Sequence, residues 1–171
     1  MKRSLMLAAV CLMMSLSAVA ADSKAEVFAG YQYTRLDGVN LNGINGALTV
    51  NLKEHIGVTA DFGGAYKSEG GASTKTLTYT FGPAISGRKD APFVPFAHAL
   101  FGGFHTSLDL GIPGANGSVS GFAMLIGGGV DVRMSDRLSI RAGQFDWISL
   151  HANGSSSNNN FRYSGGVVVH F

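Results

Sequence analysis

Cysteine is almost absent from the sequence, because the 171 residues contain only one, Cys11. It lies in an apolar N-terminal stretch that we interpret below as a cleaved signal, so the mature chain is expected to have no thiol. This absence excludes disulfide bonds, thiolate nucleophiles and cysteine-bound metals from the mature chain.

Charged residues are also scarce, at 14% of the sequence against roughly 25% in typical globular domains. The formal net charge is +2, but two of the 13 basic residues, Lys2 and Arg3, lie in the N-terminal stretch, so the mature chain has 11 basic and 11 acidic residues. A neutral chain without a basic patch is not expected to bind nucleic acid.

Long hydrophobic runs are missing beyond the N-terminus. The one such run extends from about Leu5 to Leu16, follows a basic start and precedes small residues. This arrangement is typical of a secretory signal cleaved after Ala20, and the run is shorter than the ~20 residues of a membrane-spanning helix. We therefore predict a signal peptide at 1–20 and one exported domain at 21–171.

Glycine and alternating segments characterise the rest of the chain. Glycine accounts for 24 of 171 residues, about twice the roughly 7% of average proteins. Eight segments alternate between apolar and polar or small residues, at about the length that a tilted membrane strand needs. They lie at 25–36, 43–52, 56–66, 75–85, 93–105, 120–134, 138–150 and 161–171. This pattern predicts an all-β fold, an eight-stranded antiparallel up-and-down transmembrane β-barrel in an outer membrane.

Two of these segments do not alternate cleanly. In the fifth, we place His98 inside, because a group that can carry charge is costly against lipid. In the seventh, Arg141 and Asp146 have opposite parities. A β-bulge near 142–143 would turn both inward, or Asp146 lies beyond the membrane, and the sequence leaves both alternatives open.

The connections alternate in length, as in barrels with short periplasmic turns and longer extracellular loops. This arrangement predicts that both termini are periplasmic. The predicted outer loops are Asp37–Asn42, Lys67–Ser73, Thr106–Ser120 and His151–Asn160.

A soluble lipocalin-like barrel is the rival fold, because alternation alone does not tell which face is inside. Aromatic residues near the strand ends favour the membrane barrel, since such girdles lie at membrane interfaces. They are Tyr31, Tyr33, Tyr66, Trp147, Phe161 and Tyr163.

The stretches "VFAGYQYTRLDG", "FAMLIGGGVDVRMSDRLSIRAGQFDW" and "NNFRYSGGVVVHF" resemble the small eight-stranded outer-membrane barrel domain of the OmpA/OmpX-like group. The resemblance covers essentially the whole mature chain. It implies a C-terminal insertion signal read by the barrel-assembly machinery, with Gly165 departing from the apolar pattern. The residues that would carry this signal are Tyr163, Val167, Val169 and Phe171.

Charged side chains with inward parity define the predicted lumen, namely Asp61, Asp131, Arg133, Arg141, Asp146 and Arg162. An eight-stranded interior is just wide enough for side chains to fill, and an unpaired buried charge is costly. We therefore expect ion pairs that plug the barrel. A small channel or gate made from the same pairs is the alternative.

Catalytic and metal sites have weak support. His105, Ser107 and Asp109 lie near the outer rim and raise the idea of a lipid A deacylase, but residues two apart on a strand do not by themselves form a relay. The five histidines lack zinc-site spacing. We expect no enzyme activity, metal or cofactor.

The predicted function is therefore a structural or surface-interaction role for a monomer in the outer membrane. Its expected partners are membrane lipids and lipopolysaccharide, together with an extracellular ligand bound by the loops. A small pore is the first alternative, and a lipid A-modifying enzyme is the second.

Overall fold

The computed structural model describes residues 25–88, 91–111, 116–152 and 154–171. The predicted signal peptide at 1–20 lies outside the described residues. Eight strands make up the chain: β1 (Ala25–Leu36), β2 (Val39–Lys53), β3 (Ile56–Glu69), β4 (Ala72–Ser86), β5 (Phe93–Asp109), β6 (Asn116–Arg133), β7 (Leu138–Ala152) and β8 (Ser155–His170). Among the described residues, no helix is long and apolar enough to cross a membrane.

The strands form one closed antiparallel barrel in chain order. Each strand pairs with its sequence neighbours, and β8 pairs with β1 along a register from Glu26 opposite His170 to Arg35 opposite Phe161. Closure leaves no free sheet edge. The predicted all-β, eight-stranded up-and-down fold is confirmed.

The alternation of each strand separates an apolar outer wall from a polar interior. Ile44, Phe81 and Phe62 are 75%, 66% and 60% exposed on the outside, whereas Arg162 inside is only 1% exposed. Successive side chains of a strand point to opposite faces, so a polar residue between two apolar ones necessarily faces the lumen.

Strand β1 has its predicted bounds, but the other seven strands are longer than the sequence predicts, at 14 to 18 residues, and the predicted outer loops are therefore wrong in extent. Most of Asp37–Asn42, Lys67–Ser73, Thr106–Ser120 and His151–Asn160 belongs to strands. In the first of these segments, the chain reverses direction at Asp37 and Gly38, both of which have positive φ. The side chains of these polar stretches no longer alternate with apolar ones. The hydrogen-bonded pairing of the strands continues, because it needs only backbone groups.

Strand β7 contains a β-bulge, which was one of the two alternatives that the sequence left open for the positions of Arg141 and Asp146. Opposite β6, Val130 pairs with Gly143 and Asp131 pairs with Arg141, so Ala142 is skipped. Opposite β8, the register also shifts between Arg141 and Gln144. The extra residue turns Arg141 into the lumen on the same side as Gln144 and Asp146, and all three are buried.

The two ends of the barrel differ. We call the end at which the backbone N–H of Phe171 donates to the Ala25 carbonyl, at 2.9 Å, the proximal end. The opposite, distal end contains the turn at Asp37 and Gly38 and the turn at Gly70 and Gly71.

Candidate functional site

The centre of the lumen is built around the Arg162 guanidinium. Its Nη1 and Nη2 donate to Oδ1 and Oδ2 of Asp61 at 2.7 and 3.0 Å. Its Nε donates to Oδ2 of Asp146 at 2.8 Å. One arginine of β8 thereby joins acidic residues of β3 and β7 through charge-assisted hydrogen bonds, the stronger class of such bonds.

The Asp146 carboxylate carries the network to one more strand, β5, and is 0% exposed. Its Oδ1 lies 2.7 Å from Nε2 of His98 on β5, and its Oδ2 also accepts from Nε2 of Gln144 at 2.8 Å. Both carboxylate oxygens are therefore bonded, as a buried charge requires.

A second arginine lies proximal to the first. Nε and Nη2 of Arg141 donate to the two carboxylate oxygens of Asp131 at 2.8 and 3.0 Å, and Nη1 donates to Oε1 of Gln144 at 2.7 Å. The same guanidinium lies 4.4 Å from the Phe28 ring centroid and 4.1 Å from that of Phe96. These are cation–π distances, so Phe28, whose inward parity breaks the polar pattern of β1, packs against a cation.

These contacts define a continuous buried cluster that we call the lumen network. It consists of Asp61, His98, Asp131, Arg141, Gln144, Asp146 and Arg162. Two glycines make room for it. A Cβ at Gly63 would lie 3.2 Å from Nη1 of Arg162, and one at Gly127 would lie 2.2 Å from Oδ1 of Asp146.

The distal part of the lumen combines apolar side chains of β5, β6 and β7 with buried polar ones such as Thr34, Thr76 and Asn160. Its buried cluster, which we call the distal apolar cluster, consists of Leu100, Phe104, Ala123, Leu125, Ile148 and Leu150, with Leu36, Val119 and Ala152 packed against it. The space between this cluster and Arg162 is only about 10 Å³. Side chains therefore fill the barrel from its centre towards the distal end.

The proximal part of the lumen contains a cavity of about 700 Å³. Polar and apolar side chains both line it. The polar ones extend from Glu26 and His170 near the proximal end to Asp61, His98 and Arg141 of the lumen network at its inner limit, and the apolar ones include Val94 and Phe96. The interior is thus a cavity on the proximal side and a packed core on the distal side.

Five of the six lumen residues predicted from the sequence lie in this network. The sixth, Arg133, lines the proximal cavity at the end of β6. Its side chain is 31% exposed, and its Nη2 donates to Oδ1 of Asp136 in the following turn at 3.0 Å. The sequence-based set omitted Gln144 and His98, although the preferred parity of β5 already placed His98 inside.

The predicted aromatic girdle residues all lie on the outer wall. Tyr31, Tyr66, Trp147 and Tyr163 are exposed, while the half-buried rings of Tyr33 and Phe161 contact each other at 6.3 Å between centroids. The C-terminal residues Val167, Val169 and Phe171 are also exposed on this wall.

His105, which the sequence placed near the outer rim, projects from the outer wall of β5. Its Nδ1 lies 2.7 Å from Oγ of Ser120 on β6, and its Nε2 lies 3.1 Å from Oγ of Ser107. Ser120 is a partner that sequence reasoning missed, because cross-strand register brings it opposite His105. Asp109 does not join them, since its Oδ1 accepts from the Gly111 backbone N–H at 2.9 Å.

Metal ligands do not converge anywhere in the part of the chain that the structure describes. No group of three or more His, Cys, Asp or Glu side chains there has an arrangement that could hold a metal ion.

The closed eight-stranded antiparallel barrel is the fold of small outer-membrane barrels of known structure. No protein-family model matches the sequence, and no curated protein matches it. Solved structures of this class do match in fold, and the resemblance stated from the sequence is confirmed at that level.

Three solved structures illustrate the similarity. Neisserial surface protein A has a TM-score of 0.66 at 13% identity, covering 87% of this chain and 97% of that one. The attachment invasion locus protein Ail of Yersinia pestis, in complex with the heparin analogue sucrose octasulfate, has a TM-score of 0.62 at 17% identity, covering 87% and 99%. The outer membrane protein OprG from Pseudomonas aeruginosa has a TM-score of 0.57 at 12% identity, covering 87% and 96%.

Proposed function

We propose that the chain is an integral outer-membrane β-barrel with a structural or surface-interaction role. The observation that carries this proposal is the inverted distribution of polarity. The largest fully buried side chain is Arg162, while large apolar residues such as Ile44, Phe62 and Phe81 are at least 60% exposed. A soluble lipocalin-like barrel needs the opposite arrangement, whereas a barrel in lipid needs an apolar exterior.

The orientation that we propose places the proximal end in the periplasm. Ala25 and Phe171 lie together at that end, as an even number of up-and-down strands requires, and short periplasmic turns are typical of this class. The distal turns would then face the cell exterior. Insertion would depend on the barrel-assembly machinery reading Tyr163, Val167, Val169 and Phe171.

A structural role is favoured over a pore by the packing of the lumen. An eight-stranded barrel is just wide enough for side chains to fill. Here the lumen network fills the centre, and the distal apolar cluster, with buried polar side chains beside it, fills the next level towards the distal end. An ion crossing the barrel would have to break buried ion pairs and then pass between closely packed side chains, so we propose a closed lumen.

A surface-interaction role is supported by the distal end. Its turns carry exposed Ser, Asn and Gly residues, and the β7–β8 hairpin is fastened to the β1–β2 turn. The Asn160 side-chain oxygen accepts from the Asp37 backbone N–H at 2.8 Å, and the Ser157 hydroxyl donates to Asp37. Ail, a structural neighbour, is described in complex with a heparin analogue, which supports the proposal that a barrel of this fold binds a ligand.

Membrane fractionation of cells expressing the full chain tests the proposal. We expect the protein in the outer-membrane fraction, with faster migration on SDS gels when the sample is not boiled. The boiled sample is the matched control, since it reports the unfolded chain. Recovery in the soluble periplasmic fraction would exclude a membrane barrel, and single-channel conductance of the native barrel would replace the structural role by a pore.

A further inference from the structure

A polar patch interrupts the apolar outer wall across β4, β5 and β6. Two rows of cross-strand partners form it. One row contains Lys75, Ser107 and Ser118, and the next row towards the proximal end contains Leu77, His105 and Ser120. We call Lys75, His105, Ser107, Ser118 and Ser120 the distal polar patch.

The patch is ordered by side-chain hydrogen bonds. His105 lies between two hydroxyls, with Nδ1 at 2.7 Å from Ser120 and Nε2 at 3.1 Å from Ser107. Hydroxyl groups act as donors or acceptors by rotation, and a histidine ring always carries at least one N–H. In a neutral ring, one nitrogen donates to one of these hydroxyls and the other accepts from the second. One of the two serine hydroxyls therefore keeps a free donor, and the Ser118 hydroxyl lies beside Ser107.

The only cation of the patch is Lys75, directly opposite Ser107 on the neighbouring strand. Its side chain is exposed, and directly opposite residues on one face have Cβ atoms about 5 Å apart. The Lys75 ammonium can thus reach a group that the Ser107 hydroxyl also bonds. The nearest carboxylate along β5 is Asp109, whose Oδ1 accepts from the Gly111 backbone N–H at 2.9 Å.

The height of the patch along the barrel matches the level of lipid headgroups. The next row towards the proximal end contains the exposed rings of Tyr79 and Phe122, and exposed apolar residues such as Phe81 and Ile126 follow. Aromatic girdles lie at the membrane interface. The patch lies one row (His105) and two rows (Lys75) beyond these rings, at the level where side chains face headgroups and not acyl chains.

We propose that the distal polar patch binds the phosphate group of a phosphorylated lipid in the outer leaflet. A phosphate monoester needs a cation and several donors; the Lys75 ammonium supplies the charge, the ammonium and the serine hydroxyls supply the donors, and His105 holds two of those hydroxyls in place. The site belongs to the outer wall and not to the lumen. The inference rests on the proposed membrane location, because a soluble barrel would present no lipid at this level.

Native mass spectrometry of the barrel, purified from outer membranes in mild detergent, tests the site. The probes are a phosphorylated glucosamine-based saccharolipid, its dephosphorylated counterpart and inorganic phosphate. We expect the phosphorylated lipid to be retained preferentially. Lys75→Ala should weaken its binding about tenfold, the effect of losing one charge-assisted hydrogen bond.

Two further variants make the test specific. Lys53→Ala removes an exposed cation from the proximal end of β2 and should leave lipid binding unchanged. Asp109→Asn removes the negative charge on β5 that lies nearest to the distal polar patch, and this variant should strengthen lipid binding. The shift between boiled and unboiled SDS-gel samples verifies that each variant is folded.

Several results would overturn the assignment. They are equal retention of the two lipids, equal losses in Lys75→Ala and Lys53→Ala, or displacement of the lipid by inorganic phosphate at matching concentration. Loss of an acyl chain from the bound lipid that disappears in His105→Ala would instead assign the cluster to ester hydrolysis. Location in the outer membrane is read separately by fractionation, so failure of the lipid site and failure of the membrane proposal are distinguishable.

Discussion

Replacing Arg162 by methionine isolates the contribution of the lumen network to stability. The arginine is 1% exposed and bonds two carboxylates, Asp61 at 2.7 and 3.0 Å and Asp146 at 2.8 Å. Methionine fills much of the volume but leaves both acids buried without this partner. Removing one partner of a buried ion pair costs about 3–5 kcal/mol, and we expect Arg162→Met to lose about that much of the free energy of unfolding.

The compensating variant decides whether unpaired charge is the cause. In Arg162→Met combined with Asp61→Asn and Asp146→Asn, no carboxylate remains unpaired at the centre. Replacing a whole buried ion cluster by uncharged residues often changes the stability little. We therefore expect the triple variant to regain most of the loss, to within about 1–2 kcal/mol of the native chain.

Urea unfolding of the barrel in lipid vesicles measures these differences, with cold SDS gels reporting the folded fraction. Arg35→Met is the matched control, because Arg35 is exposed on β1 and surface substitutions change stability by about 0.5 kcal/mol or less. A loss below about 1 kcal/mol for Arg162→Met would refute the reasoning. So would a triple variant that is no more stable than the single one.

Three other measurements follow from the same structure. Planar-bilayer recordings of the native barrel should show no stable open channel, because the distal apolar cluster fills the lumen; a steady current would show that this packing opens. Gly127→Ala should destabilise the barrel by about 1–3 kcal/mol, because its Cβ would lie 2.2 Å from Oδ1 of Asp146. Gly117→Ala, with open space around its Cβ, should be neutral in the same urea titration, and equal losses would contradict the steric argument. Phe171→Ser should lower the amount of assembled protein in cells but leave refolding into detergent intact; unchanged assembly would remove Phe171 from the proposed insertion signal.

The fold could be predicted from the sequence because period-two alternation recurs eight times in one chain. In each strand, apolar residues such as Ile44 and Phe62 on one parity flank polar ones on the other, and one register satisfies all of them. The strand ends could not be predicted in the same way. Beyond Tyr66 on β3 the side chains are polar on both faces, and backbone pairing continues to Glu69 without leaving a signal in the pattern.

The lumen could be predicted only in part. Parity places charged residues such as Asp61 and Arg162 inside, but it does not say which of them meet across the barrel, because they are 101 residues apart in the chain. The position of Arg141 depended on a bulge at 142–143 that the sequence only raised as an alternative. The outward pairing of His105 with Ser120 also depended on register between strands, which alternation within one strand cannot supply.

The division of the barrel into a packed centre, a proximal cavity and a patterned exterior constrains where its activity can lie. The lumen network uses the polar atoms of Arg141, Asp146 and Arg162 in bonds with one another or with close neighbours, so few of them remain to recognise a ligand. Such a network stabilises one arrangement of the strands and contributes little selectivity. We therefore expect recognition of an external ligand at surfaces with exposed donors, which are the distal turns and Lys75 of the distal polar patch.

Because Arg162 faces the lumen and Lys75 faces outward on a different strand, their substitutions should act independently, with effects that add within about 0.5 kcal/mol. A double variant Arg162→Met with Lys75→Ala should therefore combine the stability loss of the first with the lipid-binding loss of the second. Coupling well above that value, measured in the same urea and lipid-retention assays, would mean that the lumen and the outer wall are not separate.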